Sequence, residues 1–84
     1  MKRPAQKDVG KYVILKNKKI GRISEVDFQI INHKRLPVIT VEIGNDIINE
    51  VYTIAGRCFN NPEYDMIQMM SKESLACLNQ TMFN

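Results

Sequence analysis

Hydrophobic and polar positions alternate most clearly between Leu36 and Ile54, LPVITVEIGNDIINEVYTI. Ten of these nineteen residues are Val, Ile or Thr. Branching at Cβ suits a pleated strand and costs rotamer freedom in a helix. Gly44-Asn45-Asp46 interrupts the run with three turn-forming residues. The pattern predicts a central β-hairpin. Ile39, Val41 and Ile43 face the core of its first strand, with Val38, Thr40 and Glu42 outward. Pro37 lacks an N–H and belongs at a strand start or edge. The second strand has two registers. A three-residue loop sets Ile47 and Val51 opposite Ile43 and Ile39; an Asn45-Asp46 loop sets Ile48 and Tyr52 there. A slip of one residue turns every side chain to the other face, so the pattern alone leaves both open.

Upstream, Lys11–Lys16 reads as a first strand whose four consecutive apolar residues need cover on both faces or a curved strand. Lys16-Asn17-Lys18-Lys19 turns the chain, with Asn17 suited to positive φ. Ile20–Ile31 forms a second strand in which Val26, Phe28 and Ile30 alternate with Asp27 and Gln29. Ile20 and Ile23 are out of phase around Gly21, which predicts a bulge or bend near Gly21–Ser24. Asn32-His33-Lys34-Arg35 is the next turn.

Beyond Ile54 the composition shifts from Val and Ile to Met, with turn signals at Ala55-Gly56-Arg57 and Asn60-Asn61-Pro62. Residues 62–70 suit either a strand over Asp65–Met70 or the start of one long helix capped by Asn61. The strand is preferred, because the central hairpin needs a closing partner. Ser71 then caps a helix over about residues 71–82, with Leu75, Leu78 and Met82 as its apolar stripe. Met66, Met69, Met70 and Met82 fill the space under that helix in preference to forming a partner surface. Together these elements predict a mainly β fold, a small bent barrel of about five antiparallel strands with a short C-terminal helix. Closure would hide the sheet edges. Residues 1–9 read as a flexible basic arm and residues 10–84 as one domain.

Val9-Gly10-Lys11-Tyr12-Val13-Ile14, a polar turn, Lys19-Ile20-Gly21-Arg22-Ile23 and Val26-Asp27 resemble the opening of PRC-barrel and KOW-type small barrels. The likeness covers residues 9–30. The Asp-Gly or Glu-Gly of those families is replaced by Asn17-Lys18. The resemblance implies an SH3-like β-barrel, in families that bind ribosomal RNA, polymerases or other proteins. Fold alone does not fix function.

Charge changes the picture more than composition does. Residues 1–35 hold ten of the twelve basic residues and three acidic ones, a balance of +7; residues 36–84 balance at −4. Such asymmetry fits contact with a polyanion, or two solvated faces. Lys16, Lys18, Lys19 and Arg22 surround the first turn. Lys34 and Arg35 mark the second, with His33 as an exposed turn residue beside them. Consecutive hairpin turns lie at opposite ends of a meander, so two patches are expected. The arm adds Lys2, Arg3, Lys7 and Lys11 to the second.

Candidate chemistry is thin. The single histidine has no Cys nearby, and the four glycines are isolated, so no phosphate loop or metal site is expected. Cys58 and Cys77 fit neither a disulfide framework nor a common zinc pattern. The expectation is a non-enzyme without cofactor. It is a cytoplasmic interaction module that docks on a larger protein or nucleoprotein machine, as an inhibitor or accessory subunit. The alternative is sequence-tolerant RNA or DNA binding through the basic residues. MKRPAQKDVGK has no apolar segment of a signal peptide. Tyr12–Leu15 is far shorter than the roughly 20 apolar residues of a membrane span. The oligomeric state is open.

Overall fold

Each predicted strand forms in the computed structural model, which describes residues 4–83 and side chains as far as Cys77. Five strands are present: β1 (Tyr12–Leu15), β2 (Ile20–Ile31), β3 (Lys34–Ile43), β4 (Asp46–Val51) and β5 (Met66–Met70). A helix, α1 (Lys72–Phe83), follows. The strands make one antiparallel sheet in the order β4-β3-β2-β1-β5. The sheet is not closed into the expected barrel, because β4 and β5 share no ladder.

Alternation sets the core. Val13 and Leu15 of β1, Ile23 and Val26 of β2, and Ile39 and Val41 of β3 are buried together. Tyr12 and Ile14, on the other face of β1, are half-buried, so the apolar run is covered on both sides. The bend in β2 falls where the broken alternation places it. Arg22 pairs with Glu42 and Ile23 with Val41, then Glu25 pairs with Thr40. Ser24 is the extra residue, and its hydroxyl donates to the Thr40 carbonyl at 3.3 Å. Gly21 makes the close crossing possible. A Cβ there would overlap Val41 Cγ1 and stand 3.0 Å from Ile43 Cγ1.

The central hairpin adopts neither expected register. Ile43 pairs with Asp46, which leaves Gly44-Asn45 as a two-residue loop. Gly44 has φ +60° and Asn45 is not left-handed, the φ signature of a type II′ turn. Glycine at the first loop position therefore decides the register. Ile48 comes opposite Val41 and Glu50 opposite Ile39, both on the core side. Ile47 points outward with Glu42 and is exposed. Glu50 receives the Asn61 amide at 3.1 and 3.3 Å. The Phe59 N–H donates to the Val51 carbonyl at 3.0 Å, so a loop covers this end of the β4 edge.

That loop, together with the 3-10 turn Pro62–Tyr64, spans the gap between β4 and β5. Tyr52 bridges to Cys58, and the Met66 N–H donates to the Gly56 carbonyl at 2.8 Å. The Tyr52 hydroxyl donates to the Tyr64 carbonyl at 2.9 Å, and the Cys58 N–H donates to Asp65 Oδ1 at 2.7 Å. Met66 and Met70 are buried, which agrees with methionine as filler. The Ser71 hydroxyl accepts the Ser74 N–H at 3.1 Å, capping α1 as its sequence predicts. Leu75 is half-buried; the side chains of Leu78 and Met82 lie outside the described residues.

The expected flexible basic arm spans residues 1–9, of which residues 4–9 are described. They are tied to the sheet, through the 3-10 turn Gln6–Asp8. Pro4 and Asp8 are buried. The Asp8 carboxylate accepts from the Ala5 N–H at 2.8 Å and from Lys11 Nζ at 2.9 Å. The Gln6 side-chain amide donates to the Val26 carbonyl. Lys2 and Arg3 lie outside the described residues.

Two outcomes follow from this packing. Gly21→Ala should cost about 1–3 kcal/mol, read as a lower urea midpoint at unchanged slope, because the added methyl meets packed side chains. An unchanged midpoint contradicts the close crossing. Burial alone would raise the Asp8 carboxyl, but the Lys11 ammonium, the Ala5 N–H and the nearby Lys7 outweigh it and hold it below its ordinary value. A depressed folded value stabilises above the unfolded value of about 3.9 and loses that contribution as pH falls through the folded one. Asp8→Asn should therefore lower Tm at neutral pH, with the gap to wild type closing in acid. Parallel Tm curves down to pH of about 2 contradict it.

Candidate partner-binding site

The long β2–β3 hairpin outruns the strands beside it. β1 leaves β2 at Arg22, and β4 leaves β3 at Val38. Past those rungs the edges are held only briefly. The Gly10 N–H donates to the Ile23 carbonyl at 2.8 Å, and the Tyr52 N–H donates to the Pro37 carbonyl at 2.9 Å. Beyond Phe28 and Pro37 three rungs remain, Gln29–Leu36, Ile30–Arg35 and Ile31–Lys34. No backbone hydrogen bond from another described element reaches them. They form a two-stranded ribbon.

A two-residue turn, Asn32-His33, closes the ribbon with φ +52° and +66°. Both residues being left-handed is the φ signature of a type I′ turn, whose twist matches that of paired strands. Asparagine tolerates this region; histidine does so at a cost. The turn delivers Lys34 and Arg35 as the first residues of β3.

One face of the ribbon continues the core. Val26 is buried, Phe28 packs against the core, and Ile30, next on that face, is 75% exposed. The Arg35 guanidinium lies over the Phe28 ring, 4.1 Å from its centroid. On the opposite face Leu36 is buried. The turn after Tyr52 is tied to the first residue of β5, where the Met66 N–H donates to the Gly56 carbonyl at 2.8 Å. The Thr53 N–H donates to the Arg57 carbonyl at 2.8 Å, and Thr53 Oγ1 accepts from the Ala55 and Arg57 N–H groups. Ile54 in that turn is 61% exposed, and Arg57 is exposed. Residues 28–36 contain Lys34 and Arg35, which point to opposite faces of the ribbon, and exposed Asp27 precedes them on the face of Lys34.

Lys16, Lys18, Lys19 and Arg22 occupy the other end. Lys18 carries the positive φ of their turn, +71°, while the Asn17 side chain instead accepts the Lys19 N–H at 3.0 Å. The Lys16 and Asn17 N–H groups donate to the carbonyls of Asp65 and Glu63, which brings that acidic segment alongside. Arg22 pairs with Glu42 at 3.4 Å. This end is mixed in charge. His33, Lys34 and Arg35 are thus brought together, and separated from Lys16, Lys18, Lys19 and Arg22. Ile30 is an addition that the sequence reading did not single out as a site residue. The signal for Ile30 was the mismatch between a twelve-residue β2 and its much shorter neighbour.

Reactive chemistry is sparse at both ends. Cys58 is buried, and burial raises its thiol above the ordinary value, which disfavours the thiolate. Burial likewise raises the Tyr52 phenol. Among the described residues no three of His, Cys, Asp and Glu converge as metal ligands. No described helix is long and apolar enough to cross a membrane.

In comparisons with protein families, curated proteins and solved structures, nothing matches this chain.

Strain at the ribbon tip is measurable. His33→Gly should stabilise the protein by about 0.5–1 kcal/mol, since glycine adopts the left-handed conformation without a Cβ penalty and this outweighs its added unfolded-state freedom. The check is a urea midpoint; a fall would contradict the type I′ assignment.

Proposed function

We propose that this protein is a non-enzymatic, cytoplasmic binding module of SH3-like type. It docks on a larger protein or nucleoprotein machine, as an inhibitor or accessory subunit, and the β2–β3 ribbon end is its contact surface. One observation carries this reading. An apolar row leaves the core along Val26 and Phe28 and ends on Ile30, which is 75% exposed and stands across the ladder from Arg35. Apolar side chains rimmed by charge are how protein contact sites are built.

Direct RNA or DNA binding through Lys16, Lys18, Lys19, Arg22, Lys34 and Arg35 ranks second. Those cations lie at two ends of the sheet, and Arg22 already has a carboxylate partner. A track for a phosphate backbone needs its cations along one path.

Affinity capture with wild type and with an Ile30→Asp, Arg35→Glu double variant tests the reading. Both residues are exposed, so the circular-dichroism spectra should coincide. A stoichiometric protein partner should be recovered by wild type and drop about tenfold or more with the variant, a loss of ~1.4 kcal/mol or greater. Equal recovery, or no stoichiometric partner, removes the proposal.

A further inference from the structure

We infer that a second copy of this chain pairs with the edge of β2 at Phe28 and Ile30, antiparallel and about a twofold axis at Gln29. This concerns the ribbon's edge, whereas the docking reading above concerns its apolar face.

The direction of the backbone groups establishes the edge. In an antiparallel ladder successive residues turn their N–H and C=O groups alternately toward and away from one neighbour. The Val26 carbonyl accepts from the Gln6 side chain, and the Pro37 carbonyl, across from Phe28, accepts from the Tyr52 N–H. Val26, Phe28 and Ile30 therefore turn their backbone groups away from β3. The Phe28 N–H is held by the adjacent carboxylate, Asp27 Oδ1, at 2.8 Å. No backbone hydrogen bond from another described element reaches the Phe28 carbonyl or the Ile30 N–H and carbonyl. On the ribbon's other edge Pro37 has no N–H to offer, so β2 is the open side.

Length and side chains select the occupant. The open stretch runs from Asp27, next to the Gln6 contact at Val26, to Ile31, the last residue of β2. A strand continuing past Val26 would meet residues 4–9. A second copy's ribbon presents the same short stretch and turns away at Asn32.

An axis at Gln29 sets Phe28 opposite Ile30 of the copy, an aromatic against a β-branched side chain. That covers Ile30, which is 75% exposed in the single chain. On the other face Asp27 comes opposite the copy's Ile31, whose ladder partner is Lys34. The added strand takes over the Phe28 N–H, and the released Asp27 carboxylate turns to that ammonium, two strand spacings or about 10 Å across. Opposite charges thus meet on one face.

Sedimentation equilibrium of the full chain tests the pairing. Wild type should dimerise. Gln29→Asp, which sets two carboxylates against each other on the axis, should weaken the dimer at least tenfold with an unchanged circular-dichroism spectrum, since Gln29 is exposed. Disulfide formation in a Cys77→Ser background reads the register; Cys58 is buried. Residues opposed as the two Gln29 would be lie about 4.5 Å apart, within disulfide range, so Gln29→Cys should cross-link two copies under mild oxidation. Ile31→Cys should not, because the two Ile31 residues would stand about 13 Å apart along the strands. A wild type that stays monomeric at about 1 mM overturns the inference and leaves the edge to a strand of another protein. A dimer undiminished by Gln29→Asp, or cross-linked equally through Ile31→Cys, overturns it too.

Discussion

The sheet depends on β2 being crossed closely at Gly21. Val41 and Ile43 of β3 occupy the space that a side chain there would fill. Three residues later the Ser24 bulge shifts the register. A bulge increases local twist and bends its strand. Together the missing side chain and the extra residue let one strand serve two jobs. Its first part pairs with β1 and lines the core; its last part leaves the body as the ribbon. Every feature of the candidate site is downstream of that division.

The gap between β4 and β5 is spanned by polar clips and not by a ladder. The segment between β4 and β5 is pinned by the Tyr52 hydroxyl, the Asp65 carboxylate and the Met66 amide. Residues 4–9 are pinned on the other side by Asp8 and Gln6. Each clip satisfies a polar group that its own burial would otherwise penalise. In a chain of 84 residues, where apolar burial is limited, such contacts decide whether ends and loops stay on the sheet.

Much of this was legible in the residues. β-Branched alternation located the strands, the phase break located the bulge, and Ser71 located the helix start. These are local properties, and local physics reads them. The register of the central hairpin was not legible, because Gly44, Asn45 and Asp46 all favour turns, and the choice among them rests on which φ the hairpin twist demands. The ordering of residues 4–9 was missed because a charged, proline-containing terminus reads as solvated. Its contact with the sheet comes from Gln6 reaching the Val26 carbonyl, 20 residues away in sequence. For the candidate site, the cations were read correctly as two groups. Ile30 was assigned to the core because alternation reports the face of a strand, not how far that strand extends past its neighbours.

An open sheet has two borders, here β4 and β5, and β4 is the one that carries an anion. Its Glu50 carboxylate turns toward the core side, and Phe59 and Asn61 fold across one end. A foreign strand arriving there would have to displace that cover and dehydrate an anion. That stretch of the border therefore resists recruitment of a further strand.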